Sequence, residues 1–86
     1  MHPLERVARN LRRLRVLRGL SQEALAVDAG VDRTYISRLE RRLENPTVAV
    51  LDRLAGALKC DIREFFDDVK GEAAGNLMRG RKRNSF

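Results

Sequence analysis

The chain has 86 residues, 35% of them charged, with one Cys, two Pro and a formal net charge of +6. That length fits one small domain and excludes a TIM barrel or a dinucleotide-binding fold. The mixture suits a helical globular domain, and a sequence pI near 10.7 points to a polyanionic partner, nucleic acid ahead of a membrane surface.

The charge is unevenly placed. Residues 1–20 carry six Arg and one Glu, residues 21–46 sum to −1, residues 47–78 sum to −2, and the last eight residues add four bases. The excess therefore sits at the two ends. A single Cys60 cannot form an intramolecular disulfide or a zinc site, and between Leu58 and Ile62 it reads as a small core residue. The longest apolar runs, such as 48–51, are about four residues, too short for a membrane span or a signal-peptide core. A cytoplasmic protein is expected, without cofactor, metal or small-molecule ligand. The one His, at position 2, has no catalytic or metal-binding company, so an enzyme is not expected.

In chain order, Leu4, Val7, Ala8, Leu11, Leu14 and Leu17 recur at helical spacing over 4–18, with Arg6, Arg9, Arg12 and Arg13 on the other side. Pro3 suits the first turn, and Gly19 suits the stop. Ser21 is a good N-cap for a second helix in which Leu25, Ala26 and Ala29 form a narrow apolar face, ended by Gly30. Asp32 caps a third helix over about 33–42, with Ile36 and Leu39 facing inward. Thr47 caps a fourth, carrying Val48, Leu51, Leu54, Ala55 and Leu58. Asp61 with Glu64 resembles a capping box at a short fifth helix containing Ile62, Phe65 and Phe66. The expected organisation is a domain over 1–69 and a flexible basic tail over 70–86.

The second and third helices, joined by a tight Gly-containing turn, form a helix-turn-helix. With Ile36 and Leu39 inside, Arg33, Thr34, Ser37, Arg38 and Arg41 point outward, on a face that fits a major groove about 12 Å wide. Two Phe in succession cannot both face one small core. One of Phe65 and Phe66 is expected to complete the core and the other to meet a partner subunit, so Phe65, Phe66 and Val69 are the candidate dimer residues.

The runs Leu20-Ser21-Gln22-Glu23, Leu25-Ala26, Ala29-Gly30-Val31, Ile36-Ser37, Leu39-Glu40 and Asn45-Pro46 resemble the phage Cro/repressor-type, or XRE-type, helix-turn-helix family over roughly 4–66. The stretch from Asp32 to Ser37 is also similar to that of small controller proteins of restriction–modification systems. The resemblance implies an all-α, compact five-helix repressor-like domain that regulates transcription by binding double-stranded, palindromic operator DNA as a homodimer. An antitoxin that binds chiefly another protein, and its own promoter besides, is the alternative.

Site roles follow from the same resemblance. Arg33, Thr34 and Arg38 would read bases, with phosphate contact as the alternative for either Arg. Ser37 joins them or merely permits close approach. Tyr35 either packs on the helix-turn-helix or lends its hydroxyl to a phosphate or base. Ser21, Gln22, Arg41, Arg42, Asn45 and Thr47 would meet phosphates, with a solvated first-turn residue as the lesser alternative for Gln22. Position 42 is often Gly in the family and is Arg in this chain. Arg15 and Glu40 would form a structural ion pair.

The basic tail generates a direct expectation. Removing residues 79–86 weakens binding to all duplex DNA modestly and lowers the slope of log K against log salt, by up to about 0.9 for each phosphate that the tail neutralises. A slope identical to that of the full chain would leave the tail without an electrostatic role.

Overall fold

The computed structural model describes residues 2–68; Val69 and the expected tail over 70–86, with its basic residues, lie outside the described residues. Within them all regular structure is helical: α1 Pro3–Leu17, α2 Gln22–Ala29, α3 Arg33–Glu40 and α4 Val48–Leu58, then a 3₁₀ helix Ile62–Phe66. The fifth element is thus a 3₁₀ helix rather than an α-helix. It is five residues long, too short to recover the cost of nucleating an α-helix, and its i→i+3 bonds run from Glu64 N–H to Asp61 O and from Asp67 N–H to Glu64 O. Among the described residues no helix is long and apolar enough to cross a membrane.

The four α-helices end alike, in a Schellman motif with a residue of positive φ just past the last turn. Those residues are Gly19 (φ 72), Gly30 (φ 71), Arg42 (φ 65) and Lys59 (φ 55). In each case the following N–H reaches five residues back: Leu20 to Arg15 O, Val31 to Ala26 O, Leu43 to Arg38 O and Cys60 to Ala55 O. Leu20, Val31 and Cys60 then pack against the core, as the motif favours, whereas Leu43 is exposed. The third helix stops at Glu40, short of the expected 42, because Arg42 takes the left-handed conformation. Burial, and then the nearby Glu64 carboxylate, push the Cys60 thiol above its ordinary value, which suits packing rather than reactivity.

The N-termini are capped by side chains. Ser21 Oγ accepts from Ala24 N–H at 3.0 Å and Thr47 Oγ1 from Val50 N–H at 3.1 Å. His2 Nδ1 does the same for Leu4 N–H. Asp32 has N-cap geometry but makes no capping hydrogen bond. Asp61 and Glu64 form the reciprocal capping box, and the Arg63 N–H, then its guanidinium, hold the Asp61 carboxyl below the usual range.

One core unites the elements, with Leu11, Leu25, Ile36, Leu39, Leu54, Leu58 and Phe65 all fully buried. Each such burial contributes about 1.5–3 kcal/mol. The apolar stripe of α1 departs from expectation at Leu17, which is 67% exposed. A three-residue step from Leu14 swings it about 60° off the stripe. Arg18 continues the stripe instead, and it donates to Leu58 O at 2.7 Å. Phe65 is the core member of the Phe pair, while Phe66 is 45% exposed. Phe65 is therefore withdrawn from the dimer set: its ring is already enclosed by its own chain.

The 3₁₀ helix is fastened to α1 by a buried amide. Asn10 is 0% exposed. Its Nδ2 donates to Phe65 O at 3.0 Å and Asp67 O at 2.9 Å, and its Oδ1 accepts from Arg13 Nε and Nη2. All four hydrogen-bonding positions of the amide are filled. Arg6 adds a bond from Nη1 to Phe66 O.

Two stability outcomes follow. Asn10→Ala strands the buried Phe65 carbonyl and removes the bond to the part-buried Asp67 carbonyl, and should cost about 2–3 kcal/mol, lowering Tm by roughly 10–15 °C in thermal unfolding; a loss below about 0.5 kcal/mol would mean that water replaces the amide. Lys59→Gly removes the Cβ penalty of the left-handed position and should gain about 0.5–1 kcal/mol after the extra backbone entropy of Gly. An unchanged or lower Tm for that variant would show that the turn carries no strain.

Candidate nucleic-acid interface

The outer face of α3 is set by what its inner face buries. Ile36 and Leu39 are 0% exposed, so residues 33, 34, 37 and 38 fall on the opposite side by helical geometry. Arg33 and Thr34 are exposed, and Ser37 and Arg38 are half-buried. Arg41 is the C-cap residue and exposed, with its Nε directed to Ser37 O at 3.4 Å. Tyr35 is half-buried and packs against the core. Burial, then the Glu44 charge, raise its phenol above the ordinary value, so the hydroxyl stays protonated and able to donate.

Arg38 is not loose. Its Nε donates to Glu44 Oε2 at 2.7 Å and its Nη2 to Leu43 O at 3.0 Å. Both acceptors lie beyond the turn at Arg42. That turn is what brings the loop back against the helix.

The base of the helix-turn-helix is joined at Glu40. Arg15 Nε meets Glu40 Oε2 at 2.7 Å, with side-chain exposures of only 13% and 5%. Arg15 Nη2 donates to Glu40 Oε1 at 3.1 Å, and Arg15 Nη1 donates to Leu20 O. Gln22 Nε2 also donates to Glu40 Oε1, at 3.1 Å. One carboxylate therefore ties the end of α1, the first residue of α2 and the last of α3. With its amide N–H₂ directed inward, Gln22 keeps its amide oxygen and its backbone N–H at the α2 N-terminus.

The remaining candidates are more scattered. Asn45 is exposed, and Ser21 and Thr47 use their oxygens as caps while retaining hydroxyl protons to donate. Arg42 reaches back to Glu5, 3.6 Å away. An open groove between α1 and the end of α3 is lined by Arg9, Arg12, Arg41 and Arg42, with Val16 and Leu17 also in its wall. Two basic groups that lie far apart in the chain meet there. Among the described residues no group of three or more His, Cys, Asp or Glu is arranged to hold a metal ion.

Sequence reasoning missed Asn10, Glu5 and Glu44. Asn10 falls within the apolar stripe of α1, which was the available signal. Glu44 gave none, because its partner lies six residues away across a reversal that helical periodicity does not describe.

Comparison with known proteins agrees with this geometry. A helix-turn-helix family model matches residues 11–65. A hypothetical transcription factor of Neisseria meningitidis is 44% identical over 52 residues, and the match covers 60% of this chain and 49% of that one, so the chain spans about half the length of that curated relative. The crystal structure of the restriction–modification controller protein C.AhdI from Aeromonas hydrophila is 41% identical, covering 73% of this chain and 96% of that one, with a TM-score of 0.71. The controller protein C.Esp1396I, solved as a tetramer on its natural 35 base-pair operator, is 33% identical, covering 77% and 87% of the two chains, with a TM-score of 0.71. With a family model matching more than half of its length and the two helices and their tight turn in place, this chain belongs to the XRE-type helix-turn-helix family of DNA-binding transcription regulators.

Proposed function

We propose that the chain is a sequence-specific regulator of transcription that occupies a palindromic operator as a homodimer, in the manner of restriction–modification controller proteins. The observation that carries this is the outward face of α3, on which Arg33 and Thr34 are exposed while Arg38 is held at a defined position. Arg33 and Arg38 present guanidinium groups to guanine O6 and N7, and Thr34 offers its methyl to thymine. Ser37 and Tyr35 complete the base-facing set, with the Tyr35 hydroxyl as a donor.

Phosphate contacts fix the register. Gln22 and Ser21 stand at the N-terminus of α2 and Thr47 at that of α4, where unpaired N–H groups attract an anion. Arg41, Arg42 and Asn45 lie between those two ends along the chain. The operator complex of the C.Esp1396I tetramer supports an oligomer on DNA. For this chain the exposed Phe66, with Val69, is the proposed dimer contact, within a domain over 1–69 followed by a tail over 70–86. A two-fold dimer sets two copies of α3 about 34 Å apart, one turn of DNA.

Selection of bound duplexes from a random pool tests the reading. It should return two inverted half-sites, and sedimentation should give a dimer. Arg33→Ala and Arg38→Ala should each lose about 1–3 kcal/mol on the selected site and relax one base position, whereas Gln22→Ala should weaken all sequences alike. Equal losses on selected and random DNA for both Arg variants would assign them to phosphate contact and remove the base-reading role.

A further inference from the structure

Glu44 lies outside every helix, two residues past the left-handed turn at Arg42. It forms an ion pair with Arg38 in which the side chains are 31% and 44% exposed. Pairs this accessible add little to stability, about 0–1 kcal/mol, so stability does not account for the arrangement. The pattern of donors does. A guanidinium carries five N–H groups in one plane. Nε and one Nη2 hydrogen form its side edge, and this edge is filled by Glu44 Oε2 and Leu43 O. The end edge, made of Nη1 and the second Nη2 hydrogen, remains as a parallel pair, which is the fork that fits guanine O6 and N7.

We infer that Glu44 is a specificity-determining positioning residue: by occupying the side edge of Arg38 it aims the end edge at a base. The inference rests on the reading in which Arg38 contacts bases. It explains why a carboxylate stands on a loop that otherwise faces phosphates. A lone carboxylate there would repel DNA, and a lone Arg38 would be free to turn to the nearest phosphate, a contact that carries no sequence information. Paired, the two are locally neutral, and the Arg keeps only its directional fork. Glu44 also faces Tyr35, whose phenol its charge helps keep protonated, so it acts on a second residue of the same helix.

The test uses the full chain, a random duplex pool, and four proteins: wild type, Arg38→Ala, Glu44→Gln and the double variant. Melting temperatures of the variants should stay within a few degrees of wild type. Glu44→Gln should flatten the same base position that Arg38→Ala flattens, and the double variant should be no flatter than Arg38→Ala alone. Glu44→Gln should also bind the unselected pool several-fold more tightly, so that the ratio of selected to unselected affinity falls roughly tenfold. If Glu44→Gln tightens binding to both pools equally and keeps the preference that Arg38→Ala loses, the positioning role is wrong while base reading by Arg38 stands. If Arg38→Ala flattens no position, base reading is itself wrong and the inference falls with it.

Discussion

Glu40 ends α3 with a carboxylate that is almost wholly enclosed, and three of the four helices depend on how that charge is satisfied. Arg15 grips it through two nitrogens from α1, and Gln22 adds an amide from the start of α2. A carboxylate removed from water to this degree must be paired, and removing one partner of such a pair costs about 3–5 kcal/mol. The geometry that satisfies it is the geometry of the helix-turn-helix. The angle of α3 against α1 and the position of the α2 N-terminus are fixed together by one group. Arg15 also donates to Leu20 O, which closes the turn after α1. The same side chain thus serves the ion pair and the backbone that leads into α2.

The arginines of α1 and its C-cap divide into distinct tasks. Arg13 and Arg18 serve internal acceptors, the first the amide oxygen of Asn10 and the second the carbonyl end of α4. Arg6 reaches the end of the 3₁₀ helix. Carbonyls at a helix end lack partners within the helix, and a cation there is favoured both by hydrogen bonding and by the helix dipole. Arg12 and Arg9 line the groove that Arg41 and Arg42 enter from the other side, where Glu5 pairs with both Arg9 and Arg42. The positive charge of the first helix is therefore part scaffold and part field. The local bonds hold the fold, while the concentration of basic residues on one helix attracts a polyanion over longer range.

Much of the fold is legible in the sequence because the signals are local. Ser21, Thr47 and Asp61 announce helix starts through their own oxygens, and Gly19 and Gly30 announce stops because a positive φ costs them nothing. Where the same stop is made by Arg42 or Lys59, the residue type gives no warning. Leu17 leaves the expected stripe for a related reason, since a three-residue step looks periodic in sequence yet drifts around the helix. The Phe65-Phe66 pair is half legible. Two adjacent rings must part company, but only the packed structure shows that Phe65 is the one enclosed, with its carbonyl held by Asn10.

Caps, periodicity and spacing act within a few residues, so the helical elements, the buried face of α3 and the family to which the chain belongs can all be read along the chain. Apart from Arg15 with Glu40, which the family resemblance implies, the pairing of donors with acceptors between distant or reversed segments cannot. Only the packed helices give the Asn10 amide to the Phe65 and Asp67 carbonyls, Arg18 to a backbone carbonyl and Gln22 to Glu40, and bring Glu44 back onto Arg38 through a left-handed turn. Those choices rest on charge and hydrogen-bond satisfaction between segments distant in the chain or reversed in direction, and no residue pattern along the chain encodes which donor will find which acceptor once the helices have packed.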